Sequence, residues 1–297
     1  MKVDLQRDRD ESIGSADTFT VMRALMAKED DLKIRNPDYL AEKFVQGKWE
    51  RALKMPNMLR YLCDKKYPGA YCYALARTKH IDNILQSELD SGLEQVLILG
   101  AGNDSRFMRF SKQLGGCQLF ELDFPGTQAR KLEVIRDREI GDVRHIRYIP
   151  IDFENDSISE KLLSHGYSSD KKTLVIWEGV TFYLNIEAVN EVLNFFSSQM
   201  GDGSSIVFDY ALSDFIDGNY EYFGSLESAL WSEKAGEPYA FGMSPQQLND
   251  LACSLGFVIK DDIGPEEMKH QYLKGSDGAV IGDPIGCFRF AHFGKDE

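Results

Sequence analysis

The chain has 297 residues, 43% of them hydrophobic and 28% charged, the make-up of a globular protein with a full-sized core. A formal net charge of −14, with no Lys/Arg-rich stretch to offset it, works against nucleic acid and against the anionic face of a membrane. No apolar run approaches the roughly 20 residues of a membrane span, and residues 1–10 are charged where a secretory signal is apolar, so a soluble, cytoplasmic protein is expected.

Residues 16–91 read as helical, with Phe19, Met22, Leu25 and Met26 recurring at three- and four-residue intervals and Pro37, Pro56 and Pro68 as punctuation. A long helix is expected over residues 69–89, where Tyr73, Ala76, His80 and Ile84 fall on successive turns. The period then changes. Candidate strands at 95–99, 117–122, 147–149, 173–177 and 205–210 alternate with helices near 104–114, 125–137, 157–164 and 186–200. Near-continuous apolar strands separated by single helices predict a parallel sheet covered on both faces, a doubly wound α/β domain. After a helix at 245–255, strands at 257–260 and 287–293 have no second helix of equal strength between them, so the sheet is expected to finish with an antiparallel pair. No linker divides the chain. The expected layout is a helical N-terminal cap (1–91) on a core (92–297) that carries an aromatic insertion or lid at about 213–242, with Tyr220, Tyr222, Phe223, Trp231, Tyr239 and Phe241.

The chemistry begins at the first strand. Val96-Leu97-Ile98-Leu99 runs into Gly100-Ala101-Gly102, with Asp104 or Ser105 as the next helix's N-cap. Glycine lets a backbone pass close to a ligand. Asp123 follows about 20 residues on, at the end of the second strand, where a carboxylate can accept both hydroxyl protons of a ribose. Together these point to a nucleoside cofactor. A nicotinamide dinucleotide wants a third glycine beside its pyrophosphate, and that position is Ser105. S-adenosylmethionine has no pyrophosphate and makes no such demand. Asp152 and Phe153, after the third strand, are candidates for the adenine amino group and ring, and Glu178 ends the fourth strand. The five cysteines form no CxxC pair, so neither a disulfide framework nor a metal site is expected.

The run 97–110, the segment Phe120-Glu121-Leu122-Asp123-Phe124-Pro125 with Arg130-Lys131-Leu132, and Trp177-Glu178-Gly179-Val180-Thr181-Phe182-Tyr183 resemble the leucine carboxyl methyltransferase family and its bacterial relatives. Upstream, Ala76-Arg77-Thr78-Lys79-His80 is similar to the family's helix that brings an arginine to the cofactor's carboxylate. The similarity runs from about residue 12 to residue 292. It implies a Rossmann-like, seven-stranded class I methyltransferase sheet under a helical N-terminal cap, with S-adenosyl-L-methionine as cofactor. It also implies roles: Arg77 for the methionine carboxylate, Gly100, Ala101 and Gly102 for close approach, Asp123 with neighbouring Phe124 for the ribose, Asp152 and Phe153 for adenine, Glu178 near the amino group, and Tyr183 facing cofactor or substrate. Relatives close over the cofactor with a basic or polar N-terminal element, for which Arg23 and Lys28 are the candidates here.

Methyl transfer from a sulfonium needs alignment more than a base. A carboxylate acceptor is ionised at pH 7, whereas a phenol or alcohol needs a proton acceptor. None of the five histidines sits in a base motif; His80 and His270 read as structural or solvated. The expected activity is O-methylation of a carboxylate on a small organic acid, a polyketide-type metabolite or a peptide C-terminus. Hydroxyl methylation is the alternative, ahead of an NAD-linked oxidoreductase or a non-catalytic cofactor-binding module.

Overall fold

In the computed structural model, residues 14–295 are described; the charged stretch 1–10 lies outside them. Helices α1 (Ser15–Met26), α2 (Lys48–Ala52), α3 (Pro56–Lys66) and α4 (Ala70–Asp90) precede the first strand. Strands β1 (Gln95–Leu99), β2 (Gln118–Asp123), β3 (Ile146–Pro150), β4 (Thr173–Trp177) and β5 (Ser205–Ala211) follow, linked by α5 (Arg106–Arg109), α6 (Pro125–Asp137), α7 (Ile158–Ser164) and α8 (Ile186–Gln199). The chain ends through α9 (Ser213–Ile216), α10 (Ser225–Ala235), α11 (Pro245–Ser254), β6 (Val258–Ile263), α12 (Pro265–Tyr272) and β7 (Phe288–Gly294).

The seven strands lie in the order β3-β2-β1-β4-β5-β7-β6. The first five run parallel, and β7 enters antiparallel between β5 and β6. β1, β4 and β5 are buried along their whole length because helices cover both faces. The chain order reverses across β1 and β4, so the carboxyl ends of these two strands flank the crevice where such sheets bind ligands. Phe182, Ala211, Phe288 and Phe290 share a buried cluster with Met22, Leu25 and Tyr73 of the N-terminal helices. α4 thereby lies against the sheet and α1 over the crevice. Among the described residues no helix is long and apolar enough to cross a membrane.

Two expectations need correction. The helix near 104–114 is regular only over Arg106–Arg109. The side chains of Arg106 and Arg109 turn inward to buried carboxylates, and Gly115-Gly116 follows, so only a turn continues it. Between β6 and β7 an eight-residue helix, α12, does form, with Pro265 at its start and the Glu267 carboxylate accepting from the Gly264 N–H. His270 is in its last turn. In the aromatic segment 213–242, α9 and α10 frame a ring cluster in which Tyr239 packs on Phe182, Phe215 and Phe288.

Candidate active site

The turn after β1 carries the crevice. Gly100 has φ +65°, and a Cβ there would collide with the Val180 side chain from the turn after β4, so glycine is required on both counts. Gly102 donates its N–H to Asp123 Oδ2 at 2.6 Å, tying the end of β2 to the turn. Asp123 also accepts from the Phe124 N–H at 2.7 Å. Burial raises the Asp123 carboxyl above its ordinary value, and these two backbone donors only partly offset the effect.

Opposite the turn, α4 presents Tyr73 and Arg77 on one face, four residues apart. Arg77 Nη1 donates to Asp209 Oδ2 at 2.9 Å, and the Tyr73 hydroxyl donates to the same oxygen at 2.6 Å. The other Asp209 oxygen accepts from the Gly179 N–H at 2.6 Å, which fixes the turn that follows β4. Arg77 Nε stands 3.0 Å from Glu178 Oε1, close enough for charge attraction but not aligned as a hydrogen bond. Glu178 Oε2 accepts from Arg106 Nη1 at 2.6 Å. Burial alone would raise the Glu178 carboxyl, but Arg106 and Arg77, with Arg23 behind them, outweigh it and hold it down at about 2.

The ion-pair web extends outward. Arg106 Nε donates to Asp82 Oδ1 at 2.8 Å, Arg109 bridges to Asp82, and Arg23 Nε donates to Asp38 Oδ2 at 2.9 Å. Five carboxylates (Asp38, Asp82, Asp104, Glu178, Asp209) thus face four guanidinium groups (Arg23, Arg77, Arg106, Arg109). That surplus of one negative charge, beside a turn that only glycine can make, fits a ligand with a net positive charge and a nucleoside to lay against the backbone. The cleft between web and turn is narrow, about 80 Å³, and α1 roofs it with Ala16 and Phe19. The Phe19 ring lies 4.5 Å from the Arg77 guanidinium.

Of the sequence candidates, Arg77, Gly100, Ala101, Gly102, Glu178 and Tyr183 line this cleft together, with Asp123 one hydrogen bond away. Phe124 is exposed, and Phe124, Asp152 and Phe153 stay off the lining. Asp152 accepts from the Glu154 N–H and Asn155 Nδ2 within its own turn, and Phe153 packs 6.4 Å from Trp177. Of the two closing candidates, Arg23 lines the cleft and donates to the Asn103 carbonyl, whereas Lys28 is engaged on the surface by Glu42. His80 stacks on Phe290 away from the cleft. Ser105, where a dinucleotide site wants glycine, donates from Oγ to Asp38. Sequence reasoning missed Arg106, Asp82 and Asp209. A visible signal existed only for Asp209, an acid inside the apolar run Ile206-Val207-Phe208-Asp209-Tyr210.

A seven-stranded sheet with β7 inserted antiparallel, and a glycine turn facing a carboxylate at each of two neighbouring strand ends, define a class I S-adenosylmethionine-dependent methyltransferase. The chain belongs to the leucine carboxyl methyltransferase family, whose model matches residues 16–197. The resemblance read from the sequence runs further, to residue 292, beyond the matched span. YktD of Bacillus subtilis, named for S-adenosyl-L-methionine-dependent methyl transfer, is 27% identical over 219 residues, 74% of this chain and 70% of that one. A similarly named Streptomyces coelicolor protein is 31% identical over 62% of this chain and 63% of its own length. Among solved structures, a duf574 family protein from Streptomyces avermitilis superposes with a TM-score of 0.62 at 12% identity, covering 96% of this chain and 98% of that one. A Thermobifida fusca protein gives 0.60 at 14% identity with 96% of both covered, and both likenesses support the fold.

Proposed function

We propose that the enzyme transfers the methyl group to a carboxylate, making a methyl ester on an organic acid. One observation carries this reading: among the described residues no histidine, lysine or cysteine lines the cleft, and apart from Tyr183 its titratable side chains are arginines and ion-paired acids, of which Glu178, held well below the usual carboxylate range by Arg106 and Arg77, is a poor proton acceptor at neutral pH. Such a cleft suits a nucleophile that arrives already ionised. S-adenosylmethionine supplies a methyl group made electrophilic by its sulfonium.

In this reading Arg77 holds the methionine carboxylate, Glu178 the amino group, and Gly100, Ala101 and Gly102 the backbone approach. Asp123 takes the ribose hydroxyls with lone pairs left over from its two backbone bonds. Asp152 and Phe153, at the next strand end outward, take the adenine. Arg23 closes the cleft from α1. The acceptor's carboxylate oxygen forms the new C–O bond as the C–S bond breaks, its electron pair going to sulfur, and no proton moves. Alignment on that axis at about 3–3.5 Å is the main demand on the protein.

The test uses S-adenosylmethionine labelled in its methyl group, with matched carboxylic acids and phenols as acceptors. Label released as methanol by alkali, from acids only, is the expected outcome. Alkali-stable label on the phenols, as in methyl ethers, would replace this reading with hydroxyl methylation.

A further inference from the structure

Three voids follow one another beneath α1. The cofactor cleft ends at Phe19, beside Tyr183, whose ring stacks on Tyr239 with centroids 5.4 Å apart. On the far side of Phe19 is a neck of about 20 Å³, bordered by Met22, Trp231 and Tyr239. The neck shares Thr18, Met22 and Tyr67 with a half-open chamber of about 470 Å³ bordered by α1, α2 and α3.

The chamber is apolar, walled by Val21, Leu59, Leu62 and the Trp49 ring, and its volume falls in the range of small-molecule sites. Two polar features accompany it. The Trp49 indole N–H is buried and donates to nothing among the described residues. Lys65 and Lys66 border the opening, both exposed and neither ion-paired among the described residues. In a chain of net charge −14 they give this opening a local positive charge that draws anions. Met58, Tyr61 and Leu62 on α3 add an exposed apolar lip.

We propose that this chamber binds the body of the methyl acceptor, and that the acceptor is an amphipathic monocarboxylic acid with a long apolar chain or fused-ring body. Its carboxylate passes the neck to the cofactor cleft while its body stays between α1 and α3. This rests on the methyl-ester reading and narrows it, since neither a peptide C-terminus nor a small polar acid would fill the chamber. Phe19 stands between neck and cleft and must turn aside for the carboxylate to reach the methyl group.

The test uses parinaric acid, an 18-carbon fatty acid whose emission rises in an apolar site, and calorimetry with S-adenosylhomocysteine on the same full-length protein. Saturable binding of one equivalent of parinaric acid is expected, weakened at least tenfold by Leu62→Trp, which fills the chamber from a half-exposed position. Thr18→Phe, which plugs the junction from the opposite wall, is expected to abolish methylation of hexadecanoate more than of butyrate. Protein that binds S-adenosylhomocysteine but not parinaric acid, or binds it equally well in Leu62→Trp, overturns the chamber assignment alone. Protein that binds no S-adenosylhomocysteine overturns the cofactor reading and this one with it.

Discussion

Arg106 faces Asp82, Asp104 and Glu178 from a buried position, so truncating it takes the ion-pair partner from Asp104 and leaves Asp82 to Arg109 and Glu178 to Arg77 alone. Removing one partner of a buried pair typically costs about 3–5 kcal/mol. Arg106→Met should lose stability on that scale, read as a fall in melting temperature, and Arg106→Lys should recover only part, because an ammonium cannot reproduce the guanidinium fork. Gly100→Ala should cost stability through its Cβ against Val180 and its positive φ, on the order of 1–3 kcal/mol for overpacking. Adding Val180→Ala should relieve the collision but not the φ strain, so a thermal melt of the double variant is expected to fall between single variant and wild type. The residues readable from sequence were those at strand ends, where chain position dictates location: Gly100, Asp123 and Glu178. Arg106 was not, because its partner Glu178 is 72 positions away and a single arginine after a turn reads as solvated.

At the scale of elements, the parallel strands were legible because burial on both faces makes them continuous apolar runs. α5 was not, since its length is set by where Arg106 and Arg109 find carboxylates rather than by its own periodicity. α4 carries a second consequence. Burial lowers His80 to about 4 from its ordinary 6.5, with Nδ1 2.9 Å from the Tyr272 hydroxyl. An unfolded chain takes up that proton below pH 6.5 while the folded one refuses it, so stability is lost as pH falls from 6.5 through 4. The loss amounts to about 3 kcal/mol at most from this group. Burial puts His292 on β7 still lower, at about 3, so it adds in the same direction. His80→Phe, which keeps the stack on Phe290, should flatten the fall in melting temperature between pH 6.5 and 4. An unchanged slope would place the acid sensitivity elsewhere. α1 roofs a cleft of about 80 Å³, below the roughly 300–1,000 Å³ of ligand sites, so admitting the cofactor requires it to lift. Slower hydrogen exchange of the α1 amides with S-adenosylhomocysteine bound is the expected sign of its closing over the ligand, and unchanged exchange would count against it.

For the whole molecule, the sheet order and the ion-pair web meet at one crevice at the carboxyl ends of β1 and β4. The acceptor side was hidden from sequence because its walls, Met22, Leu59 and Trp49, are core-type residues whose spacing reports helix burial and nothing about the void between helices. On the cofactor side, Asp123 stands off the cleft lining and touches the glycine turn by one hydrogen bond. Calorimetric titration of S-adenosylhomocysteine into wild type and Asp123→Ala tests the cofactor site most directly. One-to-one micromolar binding to wild type is expected, with at least a tenfold loss in the variant, equivalent to about 1.4 kcal/mol. Equal affinity in the two proteins, or none in wild type, would contradict that site.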